Sequence, residues 1–139
     1  SAWNPLQIND MALPPCHYGF QINVDGEYID LLWTQRSVDV FLGLPFNITS
    51  YAILLSIFAR ILDKTPRYLV GHLGNVHIYN NHKEQAKQLL SRKPYSIENT
   101  TLHINPKLKT LEDFENSKTE DFIIINYKHH PVLKAKMAV

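Results

Sequence analysis

A long apolar run after Asn47 strongly restricts the folds open to this chain. Over residues 48–62 apolar side chains occupy nearly every helical face, with interruptions at Ser50, Ser56 and Arg60. A helix that is apolar all round is buried, so the run predicts a central core helix. Asn47 is a candidate N-cap for it. The run is too short and too interrupted to predict a membrane span.

Two strands are predicted before this helix, over residues 17–24 and 28–36. They meet at Asp25-Gly26, a dipeptide that favours a tight hairpin turn. A two-residue loop at that point predicts the opposed pairs Val24 with Glu27, Phe20 with Leu31, and Cys16 with Gln35. Arg36 would then be a close neighbour of Cys16, although a bulge would shift the register by one residue.

The rest of the chain predicts an α+β fold, a mixed β-sheet packed against helices that include the buried central helix. The pattern indicates a strand over 68–79 broken at Gly71 and Gly74, then a polar-faced helix over 80–92. Further strands are predicted near 101–104 and 121–127, with a loop at 105–119. Residues 128–139 alternate basic and apolar side chains without a helical period. We expect one domain over residues 1–139.

The composition argues against some classes of function. Of the 139 residues, 45% are hydrophobic and 19% are charged, which suits a globular domain with part of its surface in an interface. A net charge of +1 gives no electrostatic case for DNA binding. The sequence opens at Ser1 without methionine or leader, as though cut from a longer polypeptide. We expect a reducing, cytoplasmic location and no membrane.

Cys16 is the single cysteine of the chain and follows Pro14 and Pro15. The prolines stiffen the segment, so the thiol is a candidate nucleophile, although an isolated cysteine is usually a small buried hydrophobe. A neighbouring Arg36 would stabilise the thiolate, the form that attacks electrophiles. His17 lies next along a strand and points to the opposite face, which counts against a cysteine hydrolase.

The residues after Gln35 suit an anionic ligand. Arg36 and the Ser37 hydroxyl suit a phosphate, and Asp39 suits a donor-rich ring. A surface turn with a local ion pair is the alternative interpretation.

Asn47, His77 and Tyr79 each have two possible interpretations. Asn47 is either a helix cap or a reader of a base edge, because a carboxamide both donates and accepts. His77 and Tyr79 share a strand face, from which they would reach a sugar hydroxyl or form an ordinary half-buried strand. The histidine spacings match no strong metal site, so we expect no metal.

Five segments together resemble folate-dependent thymidylate synthase, and the match runs nearly from end to end. They are Ser1-Ala2-Trp3-Asn4-Pro5, Met11-Ala12-Leu13-Pro14-Pro15-Cys16-His17, Gln35-Arg36-Ser37-Val38-Asp39-Val40-Phe41-Leu42-Gly43-Leu44-Pro45-Phe46-Asn47-Ile48, His77-Ile78-Tyr79 with Asn81-His82, and Met137-Ala138-Val139. The long central segment is the most specific. Asn75 and Thr34 depart from the residues usual in the family.

The resemblance implies reductive methylation of deoxyuridylate (dUMP) to thymidylate (dTMP). Methylene-tetrahydrofolate would be the co-substrate, dihydrofolate would be released, and Cys16 would add to C6 of uracil. The implied dUMP-binding residues are Arg36, Ser37, Val38, Asp39, Asn47, His77 and Tyr79. The implied folate-binding residues are Asp39, Leu42, Gly43, Phe46 and Ala138, the last in a terminal segment that closes over the ligands.

The matched segments correspond to the C-terminal portion of the family's single catalytic domain. The resemblance therefore implies a missing N-terminal half, either in the same polypeptide or as a second chain, and little turnover by these residues alone. It also implies a homodimer that pairs through a face of the sheet and donates residues across the interface.

Two alternatives within this fold are kept open. One is a deoxycytidylate hydroxymethylase-like enzyme, but such enzymes carry aspartate at the position of Asn47, so Asn47 favours uracil. The other is a non-catalytic dimerisation or RNA-binding module. The combination of Cys16, Arg36 and Asn47 favours the enzyme.

Overall fold

The computed structural model describes residues 4–137, which form helices and two β-sheets. In chain order the elements are a 3-10 helix (Pro5–Asp10), β1 (His17–Asp25), β2 (Tyr28–Asp39), α1 (Leu44–Ile61), β3 (Thr65–His77), a 3-10 turn (Asn80–His82), α2 (Lys83–Leu90), β4 (Thr101–Ile104), α3 (Leu111–Glu115), a 3-10 turn (Thr119–Asp121) and β5 (Phe122–Ile125). The larger sheet has the order β1-β2-β3, antiparallel between β1 and β2 and parallel between β2 and β3. The predicted mixed sheet is therefore confirmed.

The hairpin of β1 and β2 forms with a different register from the predicted one. Asp25 pairs with Tyr28, so the two loop residues are Gly26 and Glu27, and Phe20 lies opposite Trp33 rather than Leu31. Gly26 has a φ of +58°, the left-handed conformation that a tight hairpin turn requires at its first position. The turn therefore starts one residue later than predicted.

A register shift between His17 and Gly19 follows at the far end of the hairpin. Beyond it His17 lies opposite Gln35, the position predicted for Cys16. The backbone N–H of Arg36 donates to the carbonyl of Cys16 at 2.7 Å. The predicted neighbourhood of Cys16 and Arg36 thus exists, although the register that led to it was wrong.

α1 begins at Leu44, earlier than predicted, so Asn47 lies inside its first turn and is not the N-cap. Gly43 occupies the cap position and makes no side-chain cap bond, and Pro45 suits the first turn because its missing N–H has no helical partner there. With 18 residues and a mean hydropathy of 1.4, α1 is long and apolar enough to cross a membrane. Core helices of soluble proteins reach the same length and hydropathy.

α1 lies between two apolar clusters. Tyr51, Leu55 and Ala59 are buried against a β2 face made of Ile29, Leu31 and Trp33. Ile57 and Ile61 pack on a second cluster of Ile104, Leu108 and Phe114. The helix is central, as expected, but the prediction that it is buried all round was wrong. Only Tyr51, Leu55 and Ala59 are buried, and its other residues are half-buried or exposed.

β3 runs unbroken through Gly71 and Gly74, contrary to the predicted breaks. A Cβ on Gly71 would lie 2.5 Å from the Trp33 ring, and one on Gly74 would lie 2.6 Å from the Arg36 carbonyl oxygen. These glycines permit close approach of β3 to β2 rather than interrupting the strand.

The two strands predicted in the C-terminal region exist as β4 and β5, and they pair antiparallel to form a second sheet. The stretch predicted as a loop contains α3, so that prediction was wrong. Thr110 and Asp113 form a capping box that stabilises this short helix. Phe114 anchors α3 to the second apolar cluster. Residues 128–137 form no helix or strand, as expected.

Candidate functional site

The candidate site lies at the carboxyl ends of the parallel strands β2 and β3. Ser37 pairs with Asn75, and Asp39 pairs with His77 at the last step of the ladder. The segment that leads into β1 brings Cys16 to the same edge, because the N–H of Arg36 holds its carbonyl. Crevices at the carboxyl ends of strands are the usual ligand sites of open parallel sheets.

Arg36 connects the thiol to the proline segment before it. Its Nη2 lies 3.9 Å from the Cys16 Sγ, and its Nε donates to the Pro15 carbonyl at 2.9 Å. Nη2 also donates to the Pro14 carbonyl. The arginine therefore places positive charge beside the sulfur while it holds the Pro14-Pro15 segment in place. Nη1 makes no hydrogen bond with the described residues, which leaves both its hydrogens for an anion.

His17 is engaged away from the thiol. Its Nδ1 lies 3.0 Å from the Tyr51 Oη, and the two rings meet edge to face at 5.6 Å. Burial raises the pKa of the Tyr51 hydroxyl, so this group remains a protonated donor at neutral pH. Because its ring is turned toward Tyr51, His17 is badly placed to act as a base for Cys16.

A cavity of about 610 Å³ opens beside the Cys16 side chain. Its lining comes from the proline segment, the end of β2 and the start of α1. The lining residues are Leu13, Pro14, Pro15, Cys16, His17, Gln35, Ser37, Asp39, Gly43 and Asn47. Cys16 is half-buried and its thiol is free. The sulfur thus borders a space that is large enough for a small heterocycle.

Gln35 fixes the direction of the Asn47 carboxamide. The Trp33 Nε1 can only donate, and it donates to the Gln35 Oε1 at 3.2 Å. The Gln35 Nε2 therefore faces the other way, where it donates to the Ser37 carbonyl at 3.0 Å and to the Asn47 Oδ1 at 3.1 Å. The Nδ2 of Asn47 is left as a donor, and its Oδ1 keeps a second lone pair as an acceptor.

Asp39 shapes the loop between β2 and α1. Its Oδ1 accepts the backbone N–H groups of Phe41 at 3.0 Å and Leu42 at 3.2 Å, and its carbonyl accepts the N–H of Gly43 at 3.0 Å. A Cβ on Gly43 would lie 3.1 Å from that carbonyl oxygen. This loop brings the start of α1, and with it Asn47, to the cavity.

Comparison with known proteins identifies the family. The thymidylate synthase family model matches residues 1–139. A probable thymidylate synthase from Escherichia phage T5 is 48% identical over 141 residues, which cover 99% of this chain and 50% of that protein. The crystal structure of thymidylate synthase from phage T4 superimposes with a TM-score of 0.87 at 47% identity, covering all of this chain and 51% of that one. Thermostable thymidylate synthase A from Bacillus subtilis gives 0.86 at 34% identity, covering 99% and 48%.

The chain belongs to the thymidylate synthase family. It spans about half the length of the relatives it matches and corresponds to their C-terminal part. Thymidylate synthases are methyltransferases of nucleotide biosynthesis that use methylene-tetrahydrofolate as co-substrate. The resemblance noted in the sequence is confirmed at the level of family and fold.

The structure brings most of the residues predicted from the thymidylate synthase resemblance to one edge of the sheet. Cys16, Ser37, Asp39, Gly43 and Asn47 line the Cys16 cavity, and the Arg36 guanidinium touches its thiol. The Val38 side chain is fully buried, so this residue offers only its backbone to a ligand.

His77 and Tyr79 lie next to this cavity but do not line it. Their rings meet edge to face at 4.9 Å, and the His77 Nδ1 donates to the Asn75 carbonyl at 3.1 Å. The Nε2 of His77 then keeps its lone pair for an external donor. Both residues are positioned at the rim rather than at the thiol.

The remaining predicted residues lie on the far side of the β2–α1 loop. Leu42 and Phe46 line a larger groove of about 900 Å³, together with residues 127–135 of the C-terminal segment. The Phe46 side chain is 74% exposed, which is unusual for a phenylalanine and leaves its ring available to a flat ligand. Ala138 lies outside the described residues. Within residues 4–137 no group of histidine, cysteine and carboxylate side chains is arranged to hold a metal ion.

The sequence did not indicate the contacts of two residues near the candidate site, Gln35 and His82. Gln35 was noted as a strand partner, yet its role depends on Trp33 and Asn47, which no local pattern connects to it. His82 was noted in a family segment and in a weak histidine spacing for a metal site, but it is fully buried and contacts the C-terminal segment. The burial of His82 depends on the tertiary fold, so no local sequence pattern signals it.

Proposed function

We propose that residues 1–139 form the C-terminal portion of a thymidylate synthase catalytic domain that converts dUMP to dTMP. The observation that carries this proposal is the contact of Arg36 with Cys16 at the edge of a cavity that also contains Asn47. These three residues match three parts of a uridylate around one cavity. The Cys16 nucleophile matches C6, the Arg36 cation matches the phosphate, and the oriented Asn47 carboxamide matches the base edge.

Cys16 would act as the covalent catalyst. Its thiolate adds to C6 of uracil, which turns C5 into a carbon nucleophile toward the one-carbon unit, and the sulfur leaves again once C5 has lost its proton. Arg36 places positive charge beside the sulfur, and its free Nη1 hydrogens would bind the phosphate. Ser37 and the backbone of Val38 and Asp39 would complete the contacts to the nucleotide.

Asn47 would read the uracil edge. Uracil presents an N3–H donor and an O4 acceptor, which pair with the Oδ1 and Nδ2 of Asn47 in the orientation that Gln35 imposes. Cytosine presents the opposite pair, so the same orientation favours dUMP over a deoxycytidylate. His77, with its free Nε2, and Tyr79 would contact the sugar hydroxyl from the rim.

The residues on the far side of the β2–α1 loop fit a reduced folate. Leu42 and the exposed Phe46 ring offer apolar surface to its flat rings, and Gly43 leaves room close to the backbone. Asp39 would accept from the donor-rich pterin, and Ala138 would approach it from the terminal segment. Bound methylene-tetrahydrofolate supplies the one-carbon unit and the hydride, and dihydrofolate leaves.

We infer that the active protein needs more than these residues. The open face of the larger sheet exposes apolar side chains such as Leu32 at 38%, Val70 at 46% and Val76 at 51%, which supports a homodimer through this face. An N-terminal half, in the same polypeptide or as a second chain, would complete the catalytic domain and cover the open faces of α1. A cytoplasmic location suits a free thiol as the nucleophile.

The test uses a full-length polypeptide that includes the N-terminal half. It is incubated with 5-fluoro-dUMP and methylene-tetrahydrofolate and analysed by mass spectrometry under denaturing conditions. We expect a covalent ternary adduct on the peptide that contains Cys16 and none in the Cys16→Ser variant. A protein that binds both ligands but forms no adduct, or forms it elsewhere, would overturn the proposal and favour the non-catalytic module.

A further inference from the structure

The C-terminal segment, residues 127–137, is held to the rest of the chain mainly through its backbone carbonyls. The Arg92 Nη1 donates to the Pro131 carbonyl at 2.7 Å, and the His130 Nε2 donates to the Lys93 carbonyl at 2.8 Å. Further along, the Lys136 carbonyl accepts from the Asn81 Nδ2 at 3.1 Å and from the His82 Nε2 at 2.7 Å. Two side chains from one 3-10 turn thus converge on one carbonyl.

His82 is an unusual residue for a purely structural position. Its side chain is fully buried, and its Nδ1 has no hydrogen-bond partner among the described residues. Burying an unpaired polar nitrogen is unfavourable, so an apolar side chain of similar size would serve packing better. The feature that an apolar side chain lacks is the Nε2–H that donates to Lys136.

The His82 ring also contacts both sides of the candidate site. It packs 5.7 Å from the Tyr79 ring, edge to face, and 5.5 Å from the Phe41 ring. Tyr79 belongs to the proposed sugar contacts, and Phe41 belongs to the loop that carries Leu42 to the larger groove. One buried ring therefore touches the nucleotide side, the folate side and the C-terminal segment.

The Lys136 carbonyl directly follows the residues that line the larger groove. Residues 127–135 of the C-terminal segment line this groove together with Phe46. A fixed carbonyl at 136 limits the positions that residues 131–135 can reach, because consecutive Cα atoms are only about 3.8 Å apart.

We propose that Asn81 and His82 form a latch that fixes the Lys136 carbonyl and so positions the groove-lining residues 131–135 against bound folate. They are positioning residues, since they act through the C-terminal segment and not on the reacting atoms. This inference rests on the proposed function, which identifies the ligand of the larger groove as a reduced folate.

The first test measures the segment directly by hydrogen exchange in the ligand-free, full-length protein. We expect amides in the peptide that covers residues 131–139 to exchange at least tenfold faster in His82→Leu, while peptides from β1 and β2 change little. Asn81→Ala removes the exposed member of the latch without disturbing the core, and we expect an intermediate increase. Unchanged exchange of residues 131–139 in both variants would overturn the latch.

The second test separates positioning from general damage. For each variant we expect the KM for methylene-tetrahydrofolate to rise at least fivefold while the KM for dUMP stays within about twofold. His82→Gln keeps an amide donor that can reach Lys136, and we expect it to restore both the exchange rate and the folate KM toward the wild-type values. Equal losses for both substrates, or no difference between His82→Leu and His82→Gln, would show a merely structural role.

The two proposals fail in different ways. If the wild-type protein forms no adduct with 5-fluoro-dUMP, the proposed function fails. Faster exchange in His82→Leu would then still establish the physical latch. If the adduct forms and the exchange of residues 131–139 is unchanged, the enzyme stands and the latch is wrong.

Discussion

The Nε2 of Gln35 donates a hydrogen bond to the Oδ1 of Asn47 across 3.1 Å, from the end of β2 to the first turn of α1. The same Gln35 carboxamide is fixed by the Trp33 indole N–H, which has no acceptor lone pair and forces the Oε1 toward itself. The direction of Asn47 is therefore set by a tryptophan in the core. In the proposed function, the buried Trp33 therefore contributes to specificity for uracil by orienting Gln35 and, through it, Asn47.

Replacing Gln35 by glutamate tests this relationship in the full-length protein. The Gln35→Glu side chain still accepts from Trp33, but it offers Asn47 an acceptor where the wild type offers a donor, so Asn47 turns its Nδ2 inward. We expect dUMP to bind at least tenfold more weakly, a loss of about 1.4 kcal/mol or more, because the base edge then meets the wrong partners. Calorimetric titration with dUMP measures the change.

The matched control for this variant is Gln88→Glu on α2, an exposed position of the same chemistry. It should bind dUMP as the wild type does. A Gln35→Glu protein that keeps both its dUMP affinity and its preference over deoxycytidylate would show that Asn47 is oriented by something else.

Arg36 should matter to the nucleotide through both its charge and its geometry. Arg36→Gln removes the cation beside Cys16 and the free Nη1 hydrogens, so we expect dUMP affinity to fall by about 2–3 kcal/mol, the value of a charge-assisted hydrogen bond. Arg36→Lys keeps the charge but cannot hold the Pro14 and Pro15 carbonyls together, so an intermediate loss is expected. Equilibrium binding of dUMP to each variant gives these values.

Arg60 provides the comparison for the Arg36 variants. It is exposed on α1, and its Nη1 donates to the Asn105 carbonyl at 3.1 Å, remote from the cavity. Arg60→Gln should leave dUMP binding unchanged. Equal losses at both positions would indicate a general effect of charge rather than a phosphate site.

The elements of this fold were largely predictable because each carries its own periodicity. The strands of both sheets, the apolar helix and the helix around 83–90 follow from local patterns of apolar residues. α3 was missed because five residues are too short for a helical period to be seen, although Thr110 and Asp113 carry the capping-box spacing. The hairpin register was missed because Asp25-Gly26 permits two positions for a two-residue loop.

The location of the candidate site was easier to predict than its geometry. Cys16 and Arg36 were correctly placed together, since a shift of register by one or two residues still leaves strand neighbours close. The role of Asn47 required knowing that α1 starts at Leu44, which places Asn47 inside the helix and frees its side chain from capping. The contact of His82 with Lys136 joins residues 54 positions apart, and no local pattern reports such a contact.

Gly71 offers a sharp test of the packing between β3 and β2. A Cβ there would lie 2.5 Å from the Trp33 indole, which cannot move freely because it stacks on Tyr51 at 5.3 Å and donates to Gln35. We expect Gly71→Ala to lower the free energy of unfolding by about 1–3 kcal/mol, the usual cost of overpacking. Urea unfolding of the full-length protein measures it.

Gly19 is the matched control for Gly71. A Cβ on Gly19 would meet nothing within 4 Å, and its φ lies outside the left-handed region, so Gly19→Ala should change the unfolding free energy far less. Loss of glycine flexibility in the unfolded chain would by itself stabilise both variants. Similar losses for the two variants would therefore mean that the space beside Trp33 does not explain the result.

Asp30 should make stability depend on pH. Its carboxylate accepts from the Arg67 Nε at 3.0 Å and Nη2 at 2.8 Å, and this pair, with the N–H of Tyr68, lowers the pKa of Asp30 in the folded protein. A lowered pKa stabilises the fold above the unfolded value of about 3.9, and that contribution is lost as the pH falls through the folded pKa. We therefore expect Asp30→Asn to be less stable than wild type at pH 7, and the difference in unfolding free energy to narrow below about pH 4. Urea unfolding across this pH range measures that difference.

The control is Glu84→Gln, which removes an exposed ion pair with Lys87 and should change the unfolding free energy little at any pH. If the difference between Asp30→Asn and wild type stays constant with pH, the Asp30–Arg67 ion pair does not contribute as proposed.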